Sequence, residues 1–214
     1  MKHVYRTTAA SAVLLSAALT LTACGGSDSP SMPGMNHSSS SMPMTSNMPM
    51  TPTTGADTAF NDADVTFATQ MIPHHQQAVE MSDLALRKAT TADVKNLATA
   101  IKAAQAPEIE TMSGWLTTWG KPVPTPGAHT MTGPMTGMMS AEELADLSKA
   151  SGPMFDRMWI QMMIKHHQGA VAMAKTEQTT GKDAASIALA KKIQAAQTTE
   201  IAGMQRLLGR LPIG

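Results

Sequence analysis

From Asp57 onward, apolar residues recur at intervals of three and four, and the period-two alternation of strands is absent. That spacing predicts helices. A first helix is expected over roughly 60–88 and a second over roughly 92–119, where Gly120-Lys121-Pro122 stops it. Thr90 with Asp93, three residues on, reads as a cap between them. Ser140-Ala141-Glu142-Glu143 opens a short helix, 140–150, that ends at Ser151-Gly152-Pro153. Two more helices are expected over roughly 154–178 and 184–208, broken at Thr180-Gly181. On a wheel of about 100° per residue, Phe67, Met71, His74, His75, Ala78 and Met81 share one arc of the first helix. Val94, Leu97, Ile101, Gln105, Glu108, Met112 and Leu116 share one stripe of the second.

The pattern occurs twice. Met71-Ile72-Pro73-His74-His75-Gln76-Gln77-Ala78 returns 92 residues later as Met163-Ile164-Lys165-His166-His167-Gln168-Gly169-Ala170. The offset holds without a gap from Asp64/Asp156 to Leu116/Leu208, and 20 of those 53 positions are identical. Such a register marks an internal repeat, 64–116 and 156–208, each copy a helical hairpin. One hairpin cannot bury its apolar stripe alone. Two can, as a four-helix bundle with a pseudo-twofold axis, so the expected class is all-α. Pro73 and Pro107 lie inside the first-copy helices and should kink them, whereas Lys165 and Thr199 stand at the equivalent positions.

Residues 1–23 read as a signal peptide, with Lys2 and Arg6 before an apolar run from Ala9 to Leu21. The run ends in Leu21-Thr22-Ala23-Cys24-Gly25, which resembles the bacterial lipoprotein cleavage box. Cys24 is the only cysteine, so it is the expected lipidation site, and no disulfide framework or thiolate metal site follows. Residues 24–56 are mostly Ser, Pro, Met, Thr and Gly and read as a disordered tether. A second flexible stretch, 121–139, repeats that chemistry before the repeat returns within the bundle region 57–211. Removing 1–23 takes away two cations and leaves a net charge of −2, which points to no nucleic acid partner.

Methionine is abundant, at 20, but it is a flexible core filler and its number alone decides nothing. Its placement says more. The two low-complexity stretches hold ten, over 32–50 and 129–139, together with His37 and His129. Within the bundle, Met71 and Met163 sit at i−4 from His75 and His167, close enough to share a metal with them. A stripe of Leu and Ile should not contain Gln105 and Glu108, or Gln197 and Glu200, unless they have partners, because an unpaired buried amide costs ~1–3 kcal/mol. Imidazole and thioether together suit soft or borderline metals such as copper. The candidate ligands are therefore His74, His75, His166 and His167, with Met71 and Met163. Met81, Met112, Met173 and Met204 are either ligands or core. Glu108 and Glu200 are ligands, acceptors for imidazole N–H, or partners for Gln. Asp64 and Asp156 are weaker candidates, since the helix dipole favours a carboxylate there anyway.

The strings Met71-Ile72-x-His74-His75 with Ala78 and Met81, and Phe155-Asp156-Arg157 leading to Met163-Ile164-Lys165-His166-His167-Gln168-Gly169-Ala170, resemble the bacterial family known as domain of unknown function 305. The resemblance covers about 57–211. It implies a ferritin-like four-helix bundle and, by similarity to some members, a cell-envelope copper protein contributing to copper tolerance. The matching residues are Met71, His74, His75 and Met81, with Met163, His166, His167 and Met173. The glycine often seen two after the second His is Gln77 in the first copy.

The expected function is thus a lipid-anchored protein of the cell envelope that sequesters or carries copper, with silver as a mimic. It would be a binding protein rather than an enzyme. A carrier leaves room for a copper-handling protein partner, and a homo-oligomer is compatible with the pattern. Thioether neither needs deprotonation nor forms disulfides, so it suits Cu(I) in an oxidising compartment. A ferritin-like di-iron oxidase would need about four Glu and two Glu-x-x-His motifs. Met71 and Met163 stand where those Glu would be. A copper-dependent oxidase, a b-type haem bundle and a structural helical lipoprotein are the remaining alternatives.

Overall fold

The computed structural model describes residues 59–125 and 135–212. These residues fall in one compact unit, 52–214. The signal peptide, the tether with Cys24, and 126–134 of the linker lie outside the described residues. All described regular structure is helical: α1 Asp62–Lys88, α2 Ala92–Thr118, α3 Ala141–Lys149, α4 Gly152–Thr180 and α5 Ala184–Leu208. Contacts are most extensive within the hairpins α1/α2 and α4/α5, followed by α1 against α4. The predicted pair of repeated hairpins is therefore the observed architecture.

Local chemistry sets the helix ends. Asn61 caps α1 in a capping box: its Oδ1 accepts from Ala63 and Asp64 N–H, and its own N–H donates to Asp64 Oδ2 at 2.7 Å. Ser140 and Glu143 form the predicted box at the start of α3. Pro153 sits in the first turn of α4, where it lacks no needed donor, so Ser151-Gly152-Pro153 opens α4 more than it closes α3. Helices α1 and α2 run unbroken through Pro73 and Pro107.

The expected Thr90–Asp93 cap does not form. The N-cap of α2 is Thr91, and its side chain makes no capping bond. Asp156, from the other repeat, does the work: its carboxylate accepts from Thr90 N–H at 3.0 Å, Thr91 N–H at 2.9 Å and Thr90 Oγ1–H at 2.7 Å. Asp64 does the same for the other hairpin turn, accepting from Lys182 N–H and Asp183 N–H, both at 3.0 Å. Asp64 and Asp156 are repeat equivalents, and so are the turns they close. Each hairpin thus reaches across the pseudo-twofold axis to close the other. Both aspartates are fully buried, which makes them structural caps and removes them from the ligand set.

The core divides into two apolar clusters related by the repeat. One gathers Met81, Ile101, Trp159, Met163 and Met204; the other gathers Phe67, Met71, Met112, Leu116 and Ile193. On all four long helices the residues between the clusters are polar and buried or half-buried: His74 and His75, Gln105 and Glu108, His166 and His167, Gln197 and Glu200. A polar layer therefore crosses the middle of an otherwise apolar bundle. Trp159 locks α4 to α1 above it, donating its indole N–H to the Met81 carbonyl at 2.8 Å.

Candidate metal centre

The four histidines are fully buried. His74 and His166 meet at the pseudo-twofold axis, with ring centroids 3.8 Å apart and planes tilted by 39°. The outer pair is held by carboxylates: His75 Nε2 lies 3.0 Å from Glu108 Oε2, and His167 Nε2 lies 2.6 Å from Glu200 Oε2. A carboxylate only accepts, so each Nε2 carries the hydrogen, and each Nδ1 is left without a partner. This is the arrangement by which an acidic partner orients a ligating imidazole and raises its basicity. Imidazole acceptor is one of the three roles open to Glu108 and Glu200 in the sequence, and these contacts place both carboxylates in it.

Among the described residues, six ring nitrogens have no hydrogen-bond partner: both on His74, both on His166, and Nδ1 of His75 and His167. Both side-chain atoms of Gln105 and Oε1 of Gln197 are also buried without partners. Each unsatisfied buried group costs ~1–3 kcal/mol, so a purely structural layer would have been replaced by apolar residues at a gain. Burial pushes His74 down to about 3, with the nearby His75 and His167 adding to the shift. The Thr136 carbonyl opposes it weakly without reaching hydrogen-bond geometry on the ring. Burial also lowers His75, against the opposing pull of Glu108, and places His166 well below its ordinary value. These three imidazoles are neutral at pH 7, the form that donates a lone pair to a metal.

Met71, Met81, Met112, Met163 and Met204 are all buried in the two apolar clusters, with Met71 and Met163 one turn from the histidines on their own helices. Met173 is half-buried and lines a surface groove with Asp62, Phe67, Gln70, Thr176 and Glu177. Among the described residues no three His, Asp or Glu side chains are arranged to hold one ion. The layer offers imidazole nitrogens without partners, and imidazole together with thioether suits soft or borderline metals such as copper.

Sequence reasoning missed what covers the layer. The chain before α3 crosses it: Gln77 Nε2–H donates to the Met139 carbonyl at 2.9 Å, and Met139 N–H donates to Gln77 Oε1 at 2.8 Å. The linker expected to be flexible over 121–139 is thus docked at its end, and Met139 is 4% exposed. On α4 the same segment rests on Gly169, where a Cβ would stand 2.1 Å from the Thr136 carbonyl oxygen. The available signal was the unequal pair Gln77/Gly169 at equivalent repeat positions.

Two repeated hairpins closed by reciprocal caps around a buried histidine layer define a duplicated helical bundle. The family model for the domain of unknown function DUF305 matches residues 64–208, and the chain belongs to that family. A DUF305 protein from Streptomyces coelicolor is 34% identical, with a TM-score of 0.63 over 69% of this chain and 92% of that one. A DUF305 fragment from Deinococcus radiodurans is 32% identical, with a TM-score of 0.63 over 71% of this chain and 98% of that one. CopM in its Cu(II)-bound form is 36% identical, with a TM-score of 0.60 over 68% of this chain and 95% of that one, and CopM also has Cu(I)-bound and Ag-bound structures. Comparison with curated proteins gave no match.

Proposed function

We propose that this chain is a copper-binding protein of the bacterial cell envelope that sequesters or carries copper, with Ag(I) as a mimic. One observation carries the reading: six imidazole nitrogens of the described residues are buried in the histidine layer without partners, four on the central pair and two on the outer rings that Glu108 and Glu200 orient. The likeness to CopM, at 34–36% identity in its Cu(I)- and Cu(II)-bound forms, supports it. The cargo would be held by the histidines with Met71 and Met163 at the edge of the layer. Anchoring through Cys24 follows from the cleavage box, and no described helix is long and apolar enough to cross a membrane. Binding without catalysis is the simpler role. The layer's two carboxylates, Glu108 and Glu200, are each committed to a histidine, whereas a di-iron site draws on about four. Elemental analysis of the full chain purified from copper-supplemented and iron-supplemented cultures tests this. Copper in the first and no iron in the second is expected; iron incorporation without copper overturns it.

A further inference from the structure

A twofold bundle with a single linker must be asymmetric where the linker crosses. The departures from the repeat fall there. On α1, Gln77 clamps the Met139 backbone through two hydrogen bonds. On α4, its equivalent is Gly169, which lets the Thr136–Gly137 backbone lie directly on the helix: a Cβ on Gly137 would stand 2.7 Å from Gly169 Cα and 2.9 Å from the Lys165 carbonyl. Lys165, where the first copy has Pro73, pairs with Glu143 of α3 at 2.7 Å and fixes the segment's far end. Gln77 is three residues beyond His74, and Gly169 three beyond His166. Each anchor therefore shares a helix face with one ring of the central pair. The crossing segment lies over that pair.

The segment is a turn closed by Met138 N–H to the Met135 carbonyl at 3.2 Å, with Gly137 at φ 86°. That positive φ suits the third position of a type II turn, which glycine fills without strain. The first and last residues of such a turn have Cα atoms within about 7 Å, so Met135 and Met138 stand side by side. Both are half-buried, while Met139 is committed to the apolar core.

We propose that the turn 135–139 is part of the metal site: it lies across the His74–His166 pair and supplies the thioethers of Met135 and Met138 as soft ligands for Cu(I) or Ag(I). The proposal rests on the copper reading above and adds ligands to it. His74 and His166 offer nitrogens without partners, and among the described residues no third His, Asp or Glu completes a set around them. Two thioethers over two imidazoles give a monovalent soft cation the low-number mixed set it favours. The linker is then a cover over the bundle site, and its docking by Gln77 and Gly169 serves to place sulfur.

The test uses the full chain with Met135→Leu and Met138→Leu together, which keeps apolar volume and removes sulfur. Competition with a Cu(I) chelator should show a fall in affinity of tenfold or more for the tightest class. Peroxide oxidation read by mass spectrometry gives a measurement on the unmodified protein: one equivalent of Ag(I) should protect Met135 and Met138 from sulfoxide formation. Affinity within twofold of the parent, or unprotected Met135 and Met138 in the Ag(I)-loaded protein, overturns the proposal. Replacing the four histidines by Ala separates the levels. If that variant loses copper while the Met pair has no effect, the turn is only a cover and the copper reading stands; if it keeps copper, the reading itself falls.

Discussion

Asp156→Ala removes the carboxylate that closes the start of α2 from across the pseudo-twofold axis. Asp156 is fully buried and accepts from three donors, Thr90 N–H, Thr91 N–H and Thr90 Oγ1–H, at 3.0, 2.9 and 2.7 Å. A hydrogen bond to a charged group contributes about 1.5–3 kcal/mol, but three on one carboxylate are not additive. Two backbone donors would be left to find water at the N-terminus of α2, whose own N-cap makes no side-chain bond. A loss of about 3–4 kcal/mol follows, or roughly 6–15 °C in Tm for a domain of this size. Asp156→Asn keeps one acceptor and should lose about half as much. Thermal unfolding of the metal-free protein, followed by far-UV circular dichroism with a chelator present, reads the shift. A fall of under about 2 °C for the Ala variant would refute the cross-cap argument. Unchanged Tm with lost copper affinity would instead return Asp156 to the ligand set.

Glu177 gives a pH prediction. Burial raises it to about 7 against the opposing Ser186 hydroxyl bond, and the Asp64 and Asp183 carboxylates push the same way; Asp64 itself, although burial pushes it up, is held below its ordinary value by Glu177 and by the Asn61, Asp183 and Lys182 N–H groups. A raised folded value means stability that is complete below the unfolded value of 4.5 and lost as pH rises through about 7. The Tm advantage of the parent over Glu177→Gln should therefore shrink from pH 5 to pH 8; a constant difference would count against the pair. Cys24→Ser should abolish acyl labelling and release the protein from the membrane fraction, and persistence there would place the anchor elsewhere. Deleting 32–50 should lower the number of Cu(I) ions bound while sparing the tightest class and the apo Tm, because a tether must lose conformational entropy to bind. Unchanged stoichiometry would leave those methionines as linker.

The helices and the polar layer were legible because two signals agreed: a period of three to four and an offset of 92 that kept His, Gln, Glu and Met in register. Gln105 and Glu108 on a stripe of Ile and Leu marked where the layer crosses α2. The cross-caps were hidden because an aspartate at a helix start is favoured locally, so nothing in the sequence of Asp64 or Asp156 announces a partner 118 or 66 residues away. The docked turn was hidden for a related reason. Its Met, Thr and Gly composition matches the tether, and its order comes from Gln77 binding backbone 62 residues away. Backbone groups carry no sequence signature. The thioethers at helical spacing all pack into the apolar clusters, Met71 and Met163 alongside Met81, Met112 and Met204.

The central claim is that the buried histidine layer holds copper. Its most direct test is chelator competition for Cu(I) on the full chain with His74, His75, His166 and His167 all changed to Ala. The layer contributes six unpartnered nitrogens and no hydrogen bond to a helix end, so the variant should keep its helical circular dichroism. It should lose the tightest copper class entirely. A folded variant that binds Cu(I) as tightly as the parent would contradict the account.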